Sequence, residues 1–188
     1  MSTDLPLALP AGSDPSRCTR LFFALWPGPV EREALVARQR LWQWPAGARL
    51  SRPARLHLTL HFLAQVPVER VAEFADAGAV AGAPFELGLQ EAGLWNGVAW
   101  LRPAAAPEAL RRLHADLGAA LQGLGWTPES RGFEPHVTLA RDARGAVPPA
   151  GLPELRWRVG EHVLVESVLG PQPEYRVLRR YPWGPAGV

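Results

Sequence analysis

No lysine occurs among the 188 residues, and all 20 basic side chains are arginine. A lysine nucleophile, Schiff base or general base is therefore excluded. Arginine keeps its proton and carries a planar fork that suits phosphate. The accompanying wealth of alanine, glycine and proline marks a general compositional bias, so the arginine count alone names no partner. The net charge is only +2. There is one cysteine, Cys18, which excludes a disulfide scaffold and a cysteine-clustered zinc site. No apolar run approaches the ~18–20 residues needed to span a bilayer. The opening MSTDLPLALPAG has no cationic stretch and carries Asp4, so it does not read as a secretory signal. A cytoplasmic location is expected.

What remains is a soluble chain long enough for one domain or two small lobes. Residues 1–19 read as a disordered tail, rich in proline and without periodicity. RLFFALW (20–26) is a short apolar run closed by Pro27 and Gly28, the pattern of a buried strand. Pro29 then opens a helix with Val30, Ala34, Ala37 and Leu41 on one stripe. RLHLTLHFL (55–63) alternates, with Leu56, Leu58, Leu60 and Phe62 on one face and His57, Thr59 and His61 on the other. A helix is expected over 67–80 and a strand over 84–95. Another strand follows at 98–103. The helix over 107–125 is the clearest, with Leu110, Leu113, Leu117, Leu121 and Leu124 aligned and Gly123 or Gly125 to stop it. PHVTLAR (135–141) reads as a strand and 142–153 as a loop. Residues 155–170 and 174–181 read as two antiparallel strands joined by GPQP. Residues 182–188 read as a second tail.

The order of these elements repeats. Strand, proline-closed turn, helix, then a strand carrying His-x-Thr-Leu occurs twice. Pro27 to Pro103 spans 76 residues and His57 to His136 spans 79. Two copies of one unit in 20–181 predict a single bilobal domain, its lobes related by a pseudo-twofold axis, with equivalent strands facing across a cleft. With five His and five Thr in the chain, roughly a tenth of one His-x-Thr pair is expected by chance. Two are present, in matched contexts.

Residues i and i+2 of a strand share a face, so His57 projects with Thr59 and His136 with Thr138. Two hydroxyls can hold the non-bridging oxygens of a phosphate. Two imidazoles can divide proton transfer, one as base and one as acid, because their pKa lies near working pH. That set suits in-line displacement at phosphorus without a metal. Two His lacking a partnered Asp, Glu or Cys make a poor zinc ligand set.

Several aromatic and basic residues have plainer readings. Trp26, Trp95 and Trp100 close strand patterns and are read as core. Phe22 or Phe23 is a candidate for base or ribose contact, and His61 for the cleft wall. His114 reads as a helix-boundary residue, while His162 gets no role. Arg49, Arg52 and Arg55 could steer an anionic strand.

The paired HLTL (57–60) and HVTL (136–139) motifs, with RLFFALWP and PHVTLARDA, resemble the 2H phosphoesterase family. Within it they are most similar to the RNA 2′,3′-cyclic phosphodiesterase (LigT-like, 2′-5′ RNA ligase) branch. The resemblance covers about residues 20–181. It implies an α+β fold of two antiparallel sheets with outer helices and a central cleft, and neither metal nor cofactor. It implies hydrolysis of 2′,3′-cyclic phosphate ends of RNA or nucleotides to 2′-phosphates. A monomer with no obligate protein partner and no membrane is expected. It implies that His57 donates a proton, that His136 accepts one, and that Thr59 and Thr138 bind phosphate. Arg141 matches a basic position expected to reach the phosphate. Strict alternation would turn it away from His136, so the strand must end or bulge near Ala140. Where the family often has glycine after the first motif's Phe-Leu, this chain has Ala64. Two further functions use the same cleft: 2′-5′ RNA ligation, the reverse reaction, and binding of RNA ends without turnover.

Overall fold

A computed structural model of the chain describes residues 17–127, 132–170 and 174–184. The elements are β1 (Cys18–Leu25), α1 (Pro29–Arg40), β2 (Arg49–Leu50), β3 (Leu58–Pro67), α2 (Val71–Ala77), β4 (Phe85–Leu89), β5 (Glu91–Trp95), β6 (Val98–Arg102), α3 (Glu108–Gly123), β7 (Val137–Arg141), β8 (Leu155–Val159), β9 (Glu161–Val168) and β10 (Glu174–Pro182). Most of the two expected tails, 1–16 and 185–188, lies outside the described residues, as do 171–173 of the GPQP turn. β1 begins at Cys18, so pairing takes in the last two residues of the expected leading tail.

The fold is α+β with two antiparallel sheets. The large sheet has strand order β10-β9-β1-β3-β7-β6-β5, with β2 also pairing β7, and the small sheet pairs β4 with β8. Read outward from its centre, β3-β1-β9 on one side answers β7-β6-β5 on the other. Where the halves meet, β3 and β7 share one partner pair, Leu58 with Val137. The repeat extends further than the motifs show. β4-β5 and β8-β9 are equivalent, each starting pair seventy residues apart. Residues 84–95 and 155–170 each read as one strand but break, at Gln90 and at Gly160. The bend lets one half pair in the small sheet and the other in the large one. Alternation survives on both sides of such a break, so periodicity does not reveal it.

Between β5 and β6 the chain turns through Asn96 and Gly97, both at positive φ (49° and 84°), the two-residue hairpin geometry that Asn-Gly favours. α3 buries Leu110, Leu113, Leu117 and Leu121 as its spacing predicts, and Gly125, at φ 81°, follows its end. α1 differs. Val30 and Leu41 of the expected stripe are exposed, and the helix buries Leu35 and Gln39 instead. The inward face was hidden in the sequence because one of its two buried residues is polar.

β1 separates two apolar clusters. Leu21, Phe23 and Leu25 join the main core with Leu58, Leu101, Val137 and the leucines of α3. Phe22 and Ala24 face the opposite way, with Val163 and Val165, and Trp26, Phe62 and Tyr175 pack around them. That second face carries the site.

Candidate active site

His57 and His136 each stand one residue before a strand, ahead of Leu58 and Val137. These two residues are fully buried and form the pair that joins the halves. Antiparallel register then sets His57 across from Thr138 and Thr59 across from His136. All four side chains emerge, half-buried, on the face opposite Leu58 and Val137.

The imidazoles are held alike. Nδ1–H of His57 donates to the Arg55 carbonyl at 2.6 Å, and Nδ1–H of His136 donates to the Glu134 carbonyl at 2.8 Å. A carbonyl can only accept, so the proton of each neutral ring sits on Nδ1 and the lone pair on Nε2. Nε2 of His57 receives the Thr59 hydroxyl at 3.1 Å. Each ring thus carries the tautomer whose Nε2 can take a proton, and give it back once protonated.

Their surroundings differ. His57 is enclosed by Phe22 (ring centroids 4.8 Å apart), Trp26 (stacked, 5.6 Å) and Tyr175 (edge-on, 5.5 Å). Burial pushes its pKa down to about 4, and the charges of His136, Arg141 and Arg32 press the same way against the Arg55 carbonyl. His136 meets Trp95 edge-on at 5.0 Å. Burial lowers its pKa too, opposed by the Glu134 carbonyl, lowered further by the Arg141 charge and raised by the Glu134 carboxylate. Arg141 therefore acts on both rings.

Arg141 reaches this position through a β-bulge. Along β6, Ala99 pairs with Ala140 and Trp100 with Thr138, leaving Leu139 as an extra residue in β7. The inserted residue reverses the alternation, so Arg141 falls on the face of Thr138. β3 has the same bulge: Phe23 pairs with His61 and Ala24 with Thr59, leaving Leu60 over. The expected alternation through 55–63 therefore fails after Thr59. Phe62 turns to the site face, opposite Phe22. His61 turns to the helix side, is buried, and its Nε2–H donates to the His114 carbonyl at 2.7 Å. It is not a cleft-wall residue. His114 is sandwiched between His61 and Phe133, with centroids 4.0 and 3.9 Å away.

Residues that the sequence left as core or unremarked complete the surroundings. Trp26 and Trp95, read as core, flank the two histidines. Strand parity could have found Trp26, since it shares a face with Phe22 and Ala24. Arg32 donates to the carbonyls of Pro27 and Pro53, tying the turn after β1 to the turn before His57. Arg55 lies over the Tyr175 ring at 5.0 Å. Arg49 is ion-paired with Asp142 (2.5 Å). Among the described residues no group of three or more His, Cys, Asp or Glu could hold a metal, and no helix is long and apolar enough to cross a membrane.

An internally duplicated α+β fold, with two His-x-Thr pairs opposed across its central strands, defines a phosphoesterase-like protein. The family model described as the 2′-5′ RNA ligase superfamily matches residues 30–170, and the chain belongs to that family. It is 35% identical over 137 residues to the RNA 2′,3′-cyclic phosphodiesterase of Escherichia coli, covering 70% of this chain and 78% of that protein. It is 34% identical over 181 residues to the protein of that name from Thermus thermophilus, covering 86% and 89%. The crystal structure of E. coli LigT complexed with 3′-AMP superposes with a TM-score of 0.76 at 28% identity, over 88% of this chain and 98% of that one.

Proposed function

We propose that the protein hydrolyses 2′,3′-cyclic phosphate ends of RNA, or nucleoside 2′,3′-cyclic phosphates, to 2′-phosphomonoesters, using two histidines and no metal or cofactor. The observation that carries this is the shared anchoring of His57 and His136, each bound through Nδ1 to the carbonyl two residues earlier. Two independently anchored imidazoles with matched tautomers exceed what phosphate binding alone requires. The named activity of the relatives supports the same substrate class.

Nε2 of His136 takes a proton from water as its oxygen bonds to phosphorus. The P–O3′ bond breaks, and Nε2 of His57 gives its proton to O3′. The asymmetry of the site favours this division. Burial lowers both rings and His57 is the more enclosed, which makes His57 the stronger acid, and the Glu134 carboxylate adds a smaller pull toward the proton at His136. A free His57 is neutral near pH 7, and the phosphate anion offsets the neighbouring cations that help hold it so. Hydroxyls of Thr59 and Thr138 and the guanidinium of Arg141 hold the non-bridging oxygens and neutralise developing charge. With this chemistry goes a cytoplasmic monomer acting on RNA ends.

The test is turnover of a nucleoside 2′,3′-cyclic phosphate in excess chelator, with the product isomer identified. Rates are expected to fall about 10²–10⁴-fold in His57→Ala and His136→Ala. Full activity in His57→Ala would falsify the assignment. Tight binding without turnover between pH 5 and 8 would leave a recognition module instead. The family description favours a second reading, 2′-5′ ligation by the reverse reaction. Joining of a 2′,3′-cyclic phosphate end to a 5′-hydroxyl end, assayed with a pair of tRNA halves, separates it from hydrolysis.

A further inference from the structure

Against Trp26 lies a cavity of about 510 Å³. It opens between the turn after β1 and the junction of β8 with β9. Half-buried Trp26 supplies apolar wall over the buried Pro27 and Trp157, while Arg32, Arg158 and Arg180 supply positive charge. Two carboxylates also line it. Glu161 is bound by Arg180, and Glu31 forms no ion pair among the described residues. Arg158 forms none there either, although Glu86 stands opposite it in the β4–β8 ladder. The cavity shares Trp26 with the stacking partners of His57, and Arg32 with the charges acting on that ring.

We propose that this cavity is a subsite for the nucleotide on the 5′ side of the terminal cyclic phosphate. The inference rests on the hydrolytic reading above and follows from in-line geometry. Water attacks from the His136 side, so the departing O3′ lies on the His57 side of phosphorus. O3′ belongs to the ribose, and the RNA chain continues from that ribose through its 5′ oxygen. The strand therefore leaves on the His57 side, where Phe22, Trp26 and Tyr175 surround the ring, and of these three Trp26 lines the cavity. The cavity has the size of sites that hold small ligands. The Trp26 ring offers an apolar edge to a sugar or base, and Arg158 offers an uncommitted cation to the linking phosphodiester. The protein then prefers RNA ends to free cyclic nucleotides.

The experiment compares kcat/KM for a nucleoside 2′,3′-cyclic phosphate and for a dinucleotide ending in the same cyclic phosphate. The dinucleotide is expected to be at least tenfold better in the wild-type protein. Arg158→Ala should bring the ratio to within threefold of one, and Arg158→Glu should take it below one. A wild-type ratio near one, or a ratio that neither substitution moves, overturns the subsite. If neither substrate turns over, the hydrolytic reading fails separately. Calorimetric affinities for the 2′-phosphorylated dinucleotide and mononucleotide then decide the subsite by the same ratio and the same variants.

Discussion

The side-chain amide of Gln39 donates to the carbonyl of Leu139 at 2.8 Å, across 100 residues of sequence. Its other hydrogen goes to the Ser51 carbonyl at 3.0 Å. Ser51 in turn donates from its backbone N–H to Leu139 O (2.7 Å) and from its hydroxyl to Thr138 O (2.8 Å). Leu139 is the extra residue of the β7 bulge, so α1 and the segment after β2 hold the backbone that aims Thr138 and Arg141.

Gln39→Leu keeps the volume and removes both bonds, leaving the Ser51 carbonyl without its amide partner. A loss of about 1–3 kcal/mol in stability is expected, measured by denaturant unfolding. Activity on a cyclic nucleotide should fall about tenfold through kcat, because the bulge loses a support. In a double-mutant cycle with Arg141→Ala the two effects should be less than additive. Strict additivity would mean that Gln39 stabilises the fold without positioning Arg141.

On the proposed mechanism the two imidazoles set the pH dependence. Turnover then needs one ring neutral and one protonated, so kcat/KM should trace a bell. Both rings are lowered in the free protein, which places its optimum on the acid side of 6.5. The optimum of kcat should lie higher, since a bound phosphate anion raises both rings. Arg141→Gln removes a cation that lowers both, so its kcat/KM profile should move to higher pH, with activity reduced roughly 10–100-fold from lost charge stabilisation. An unmoved profile would place the guanidinium outside the site.

His162 contributes to acid lability, as do His57 and His114, which burial lowers to about 4 as well. His162 is fully buried, stacked 4.5 Å from Tyr181, and its Nε2–H donates to the Gly78 carbonyl at 2.9 Å. Burial pushes its pKa down to about 4, below the ordinary 6.5 of an unfolded chain. The unfolded state therefore binds the proton first as pH falls. The contribution of His162 is full above about 6.5 and is lost progressively down to about 4, by roughly 2 kcal/mol between pH 7 and 5. In His162→Phe the Tm should fall less steeply with acid than in the wild type. An equal slope would show that His162 does not carry this proton.

Gly78 occupies a position that no side chain fits. A Cβ there would lie 2.4 Å from Phe23 Cε1 and 2.6 Å from the Tyr181 hydroxyl. Phe23 is fully buried and has nowhere to move. Gly78→Ala should cost about 1–3 kcal/mol by overpacking. Gly123, at the end of α3 with nothing near its missing Cβ, is the control. Gly123→Ala should be neutral or slightly stabilising. Equal Tm shifts for the two would remove the steric explanation.

The duplicated His-x-Thr-Leu, the proline-closed turns and the α3 stripe were legible because each is local and periodic. Trp26 and Trp95 were missed because a tryptophan closing a strand looks the same whether it fills a core or flanks an imidazole. Gln39 was missed because a polar residue on a helix ordinarily faces water, and its two partner carbonyls come from distant segments. His61 was misplaced because the twin bulges leave no mark in residue type.

The amino-acid order alone pointed to the side chains offered for the proposed chemistry and to a chain built twice, since strand parity and repetition are properties of spacing. Only the folded molecule decided how those side chains are aimed. Backbone carbonyls choose the imidazole tautomers, and one inserted residue per half reverses a strand's faces. Both depend on hydrogen bonds between chain segments that the sequence holds far apart.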